Sequence, residues 1–239
     1  MLTAPQNPAA GLAAVRERIT VAARAAGRDP ASVTLVGVCK SQPLERVTSA
    51  LDAGLADLGE NYVQEARVKR AEVERLLAPT SAVRWHFIGR LQRNKARAAV
   101  ELFDLVHSLD SEALAEALDR AAAARSRVVE CLVEINLGGE STKGGIAPDR
   151  LGDFLRSVAD RSSLHVRGLM AIPPPEADPS VARLRFRRLR ELRDRHADLP
   201  LPGGGLKELS MGMSADYEAA ITEGATIVRV GRAIFGPRG

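Results

Sequence analysis

Lys40 stands directly after an apolar run, residues 33–39, at the start of a loop that leads to Pro43. An ε-amine lifted out of a buried strand attacks carbonyl groups once burial or a neighbouring cation lowers its pKa. Two later apolar runs end in small residues, Ser210-Met211-Gly212-Met213-Ser214 and Val230-Gly231-Arg232. Backbone N–H groups and hydroxyls at the start of a helix suit a phosphate, with Ser214 as the expected N-cap of the first of these turns. Gly231 lets the backbone approach an anion closely, with its own N–H and that of Arg232 as donors. An amine facing a phosphate cradle predicts Schiff-base chemistry on a phosphorylated ligand. Arg229, between Val228 and Val230, places a guanidinium inside the last run. A buried guanidinium needs an acceptor, either the ring nitrogen of a pyridoxal-type cofactor or a carboxylate of the protein.

These groups need a frame to bring them together. Eight apolar runs span residues 33–39, 55–59, 83–88, 105–109, 128–136, 164–170, 208–211 and 226–231. Several are continuous rather than alternating, as in parallel strands covered by helices on one side and packed inside on the other. Between them lie helical patterns: Leu44, Val47 and Leu51 after Pro43; Val63, Ala66, Val73, Leu76 and Leu77; Leu114 and Leu118 after a capping Asp110; Leu151 and Leu155 after Pro148. An opening helix carries Leu12, Val15, Ile19, Ala22, Ala23 and Ala26 on one face before Gly27. The pattern predicts an α/β fold: one (β/α)8 barrel over residues 1–239 with an extra N-terminal helix. An open doubly wound sheet is the weaker fit, since no G-x-G-x-x-G follows the first run.

In such a barrel the working residues stand at the C-terminal ends of the strands. That rule singles out Lys40, Asn61, His86, His107, Asn136 and the two small-residue turns. His86 either approaches a ligand or fills the barrel as a satisfied imidazole; His165 and His196 read as structural or exposed. No H-E-x-x-H, serine elbow or Walker loop is present.

Composition narrows the remaining classes. Thirty-four basic against 30 acidic residues leave a net charge of only +4, and aromatic residues make up 3 %, so the chain lacks the stacking rings of single-strand readers. Seven arginines between residues 183 and 195 invite a phosphate-backbone reading. Interspersed Glu191 and Asp194, with Leu184, Leu189 and Leu192 as an inward face, favour an ordinary solvated helix instead. Cys39 and Cys131 lie in apolar runs and read as buried reduced thiols. With no basic leader and no membrane-length apolar stretch, a soluble cytoplasmic monomer without nucleic-acid or membrane partners is expected.

Several motifs resemble the pyridoxal phosphate homeostasis protein family, in order and over nearly the whole chain. They are Val38-Cys39-Lys40, the segments 59–65 and 85–95, His107-Ser108, Gly168-Leu169-Met170, the segment 210–214 and the segment 229–236. The family is similar to the N-terminal barrel of alanine racemase and binds pyridoxal 5'-phosphate (PLP) without established turnover. The resemblance implies that Lys40 is the Schiff-base lysine and that Ser210, Met211, Gly231 and Arg232 form the phosphate turns. It also implies that Arg229 lies by the ring nitrogen, that Asn61 and His86 line the pocket, and that Lys143 is a second lysine near the entrance. Cys39 replaces the usual serine or threonine and sets a thiol beside an aldehyde ligand; Thr142-Lys143-Gly144 and Arg90 are the other departures.

Three functions follow as expectations. A non-catalytic PLP carrier, in exchange with apo-enzymes, leads. A PLP-dependent racemase needs acid and base groups on both faces of the substrate carbon, one of which comes from a second domain in racemases of similar fold. The chain ends at Gly239 after the eighth run, so that domain is not expected. A cofactor-free Schiff-base aldolase is the third.

Overall fold

Residues 7–76, 82–138, 144–174 and 178–237 are described in a computed structural model. Lys143, Leu77 and the loop around Pro175 lie outside them. The N-terminal helix α1 (Pro8–Ala25) precedes β1 (Thr34–Val38), α2 (Leu44–Asp52), β2 (Asp57–Glu60), α3 (Val63–Leu76), β3 (Arg84–Phe87), α4 (Ala96–Leu102), β4 (Leu105–Leu109) and α5 (Glu112–Ala123). Then come β5 (Val129–Glu134), α6 (Leu151–Val158), β6 (Leu164–Met170), α7 (Pro179–Arg195), β7 (Glu208–Ser210), α8 (Tyr217–Thr222), β8 (Ile227–Val230) and α9 (Arg232–Phe235). Every strand pairs in parallel with its successor, and β8 returns to β1, so the sheet closes into the expected eight-stranded barrel.

All eight apolar runs become strands: β4 and β6 keep the expected bounds, β2 shifts to take in Glu60, and the others are trimmed. Asn136 leaves β5 because its N–H donates to the Ile146 carbonyl rather than to a neighbouring strand. The pleat divides each strand between two environments. Val36, Leu105, Leu132, Met170 and Ile227 form a small apolar cluster inside the barrel. Their neighbours Val106, Val133, Leu169 and Val228 belong to the larger layer between sheet and helices.

Helix ends follow local chemistry. The Asn7 side chain accepts from Ala9 N–H at the start of α1, whose Leu12, Val15, Ile19 and Ala23 are buried. The expected cap at Asp110 belongs instead to Ser111, whose hydroxyl oxygen accepts from Leu114 N–H and donates to Asp110 Oδ1. On α7, Leu184 is 58 % exposed and Phe186 takes the inward place beside Leu189 and Leu192. Burying such a phenyl ring contributes about 2–3 kcal/mol. The arginines of α7 serve structure: Arg183, Arg187 and Arg190 converge on the buried carboxylate of Glu223.

Candidate functional site

β1 carries Lys40 into the site, and the same pleat sorts its neighbours. Val36 faces the barrel interior, so Lys40, four residues on, falls on the inward side and Cys39 on the helix side. Both peptide groups beside Lys40 are gripped by an ion cluster. Lys69 Nζ on α3 donates to the Cys39 carbonyl at 2.6 Å, and Glu65 Oε1 accepts from Ser41 N–H. Lys69 also pairs with Glu60 and, at 3.0 Å, with Glu65. Ser41 sits at φ 55°, a left-handed conformation that a non-glycine residue keeps only when its surroundings enforce it.

The cluster is deeply buried, with Glu60 at 0 % and Lys69 at 6 % exposure. Burial pushes the Glu60 carboxyl up. Burial opposes the charge on Lys69 too, but Cys39, Glu60 and Glu65 outweigh it and hold the ammonium above its ordinary value. The Cys39 thiol donates to Glu60 Oε1 at 3.2 Å and is pushed well up, chiefly by burial, so it stays a neutral thiol turned into the helix layer. A thiol facing an aldehyde ligand, expected from the sequence, is therefore not what the fold provides.

The β8 turn borders β1 on its other side, and the β7 turn lies one strand beyond it. β8 registers on β1 with Val36 opposite Arg229 and Gly37 opposite Val230. A Cβ at Gly231 would lie 3.4 Å from Val38 Cβ and O, in van der Waals contact with the end of β1. In the preceding turn Gly212 adopts φ 91°, and a Cβ would stand 2.9 Å from Tyr217 Cα, so only glycine is accommodated. The expected cap at Ser214 is corrected: Met213 N–H donates to Asp216 Oδ1 ahead of α8, while Ser214 Oγ accepts from Ala233 N–H at 3.4 Å. That contact ties the β7 turn to the β8 turn. The Arg232 side chain is exposed, and Met211 is buried with its N–H donating to the Ile227 carbonyl.

Ser210, His86 and Arg229 lie deeper than the strand-end reading implied. Ser210 turns its hydroxyl inward, 2.9 Å from His107 Nδ1 and in contact with Arg229 Nη1. Arg229, 4 % exposed, also donates from Nη2 to the Ala171 carbonyl at 3.0 Å. Its acceptors are thus a hydroxyl and a carbonyl oxygen rather than a bonded carboxylate. Burial lowers its pKa to about 10, against the pull of Glu134 and Asp216, and the group remains charged at neutral pH. His86 is completely buried, with both ring nitrogens engaged, by Asp57 and by His107. That is the barrel-filling arrangement.

Asn61 reaches the rim. Gly89 packs against it so tightly that a Cβ would lie 2.3 Å from the Asn61 carbonyl oxygen. The buried Asn61 Oδ1 has no partner among the described residues. Asn61 lines two cavities, one of about 1190 Å³ with Tyr62, Arg90, Arg93 and Asp110, the other of about 350 Å³ with Arg90, Glu134 and Asn136. Burial and the nearby Asp110 push the Glu134 carboxyl up, so it carries its charge reluctantly. Among the described residues no group of histidine, cysteine and acidic side chains suits a metal, and no helix is long and apolar enough to cross a membrane.

Residues 11–239 match the family described as alanine racemase, N-terminal domain. The chain is 46 % identical over 230 residues to the pyridoxal phosphate homeostasis protein of Pseudomonas aeruginosa, covering 96 % of this chain and 95 % of that one. A crystal structure of a protein of unknown function from Bifidobacterium adolescentis superposes with a TM-score of 0.89 at 36 % identity, over 95 % of this chain and 94 % of that one. PipY of Synechococcus elongatus, solved with PLP bound, superposes with a TM-score of 0.77 at 38 % identity, over 93 % of this chain and all of that one.

Proposed function

From the premise that this chain belongs to the pyridoxal phosphate homeostasis protein family, we propose that it holds PLP as a Schiff base on Lys40 and takes part in intracellular vitamin B6 homeostasis. The observation that supports this reading is the register of β1 between β2 and β8, since residues 40 and 231 follow the C-terminal ends of adjacent strands. The bound cofactor would supply an aldehyde for the amine and a phosphate for the turns. Linkage forms a C=N bond, breaks the C=O bond and releases water.

The residues present fit that group. α9 opens at Arg232 with Gly231 as its N-cap, and we assign their backbone N–H groups to the phosphate. We assign the Ser210–Met211 turn a supporting part in the phosphate grip, because the Ser210 hydroxyl and the Met211 N–H already have protein partners. Arg229 is assigned to the ring nitrogen. A guanidinium only donates there, so the ring stays unprotonated and is a poor electron sink. That favours retention over turnover and a carrier that exchanges PLP with apo-enzymes. Asn61, with its unpartnered amide oxygen at the rim, fits a contact with the polar edge of the ring. We assign His86 a role through His107 rather than by touch. The proposed unit is one barrel domain, residues 1–239, acting in the cytoplasm.

Purified protein mixed with PLP is expected to turn yellow, and Lys40→Ala to remain colourless. Borohydride reduction followed by peptide mass spectrometry should locate the cofactor on Lys40. A wild-type protein that stays colourless with excess PLP would instead favour the cofactor-free aldolase. Racemisation of a single-enantiomer amino acid by the loaded protein would defeat the carrier reading.

A further inference from the structure

The barrel interior holds an unbroken polar row that the binding of PLP does not by itself require. Asp57 Oδ1 lies 2.9 Å from His86 Nε2, His86 Nδ1 lies 2.9 Å from His107 Nε2, and His107 Nδ1 lies 2.9 Å from Ser210 Oγ. Ser210 Oγ in turn meets Arg229 Nη1. The row leaves β2, passes β3 and β4, crosses to β7 and ends on β8. Its two ends flank the lysine strand, since Val36 on β1 registers on both Asp57 and Arg229.

Hydrogen-bond polarity follows from the ends. An ionised carboxylate only accepts, so His86 Nε2 must carry a proton and donate to Asp57. A neutral His86 then accepts at Nδ1, which requires His107 to be protonated at Nε2 and to accept at Nδ1. Ser210 therefore donates to His107, leaving its lone pairs for Arg229, a group with no acceptor of its own. Asp57 sets this direction, because the opposite tautomers would set an imidazole lone pair against a carboxylate oxygen, and Arg229, which only donates, is compatible with it.

We infer that Asp57, His86, His107 and Ser210 form a one-way hydrogen-bond chain that aims the Arg229 guanidinium, each acting as a positioning residue for the ring-nitrogen end of the site. This rests on the proposed PLP reading for its purpose, but not for its geometry. The chain is not a proton wire, because its last member is a guanidinium that keeps its protons at neutral pH. Its product is a constant charge: one cation, two neutral imidazoles and one carboxylate. Charged neighbours agree with that state. Burial first, with the charges of Arg229 and Arg84, holds His107 well below the ordinary histidine value, while Glu134 and Asp216 favour the charge of Arg229.

The test begins on cofactor-free protein labelled with 15N-histidine. Long-range imidazole spectra at neutral pH are expected to show one proton on each ring, carried by Nε2 in both His86 and His107. A proton on Nδ1 of either ring overturns the chain whatever the protein does with PLP. The second stage measures PLP affinity and visible absorbance in variants. His107→Leu and Asp57→Leu should weaken affinity about tenfold and move the absorbance maximum, by leaving a buried partner unsatisfied. Asp57→Asn keeps an acceptor oxygen for His86 and should recover most of the loss. Equal affinity and spectrum in Asp57→Leu and wild type would overturn the positioning role. Failure of the wild type to bind PLP would strike the functional reading alone, since the tautomers are read without it.

Discussion

At the scale of single residues, the site is organised around the backbone of Lys40 rather than its side chain alone. Lys69 and Glu65 hold the peptide groups on either side of it, and Glu60 pairs with Lys69 in a setting where a charge without its partner is costly. Lys69→Met leaves the Glu60 carboxylate buried and unpaired. We expect a loss of about 3–5 kcal/mol in urea unfolding. Adding Glu60→Gln to Lys69→Met should recover part of that loss, because the orphaned charge is gone. Additive losses in the double mutant would show that the two residues do not act as a pair. Glu60 and Glu65 lie within the segment 59–65 that carried the family resemblance, whereas Lys69 drew no attention in the sequence. Its i, i+4 spacing to Glu65 was the available signal, and surface helices are full of such pairs.

Among the elements, α7 shows how a charged helix is absorbed by its neighbours. Glu223, just past α8, is 2 % exposed and receives Arg183, Arg187 and Arg190. Burial alone would raise its carboxyl pKa. Hydrogen bonds from Arg187 and Arg183, with their charges, outweigh burial and hold it below the usual carboxylate range. A folded-state pKa below the unfolded value contributes stability above the unfolded pKa, and that contribution is lost as pH falls through the folded one. Glu223→Gln should therefore be less stable at pH 7 and show a shallower acid limb in melting temperature between about pH 5 and pH 3. An acid limb parallel to that of the wild type would refute this role. The arginine repetition was visible in the sequence, but its target was not, because Glu223 lies beyond α7, β7 and α8.

For the whole molecule, the closed barrel removes free strand edges, and the helices cover its outer face. The large apolar side chains left exposed among the described residues are Val21, Tyr62, Val68, Leu76, Val128, Ile172 and Leu184, spread over α1, α3, α7 and connecting segments rather than gathered on one element as a patch. Stable association usually draws on such a patch. We propose a monomer in solution, and light scattering across a concentration series should report the mass of one chain. A constant mass of two chains would overturn it.

Eight apolar runs, the glycine-bearing turns and the placement of Lys40 after the first run were legible in the sequence, because strand burial and turn conformation are written in local residue types. The turn of Cys39 into the helix layer was not, since its thiol was expected beside the ligand. What the sequence could not contain was the depth of Ser210, His86 and Arg229, or the row that joins them to Asp57 and His107. Those five residues come from five strands, up to 172 positions apart between Asp57 and Arg229. Only barrel closure, which sets the register of β8 against β1, decides which inward side chains meet. A hydrogen bond, unlike an apolar preference, exists only at the separation and angle that closure imposes.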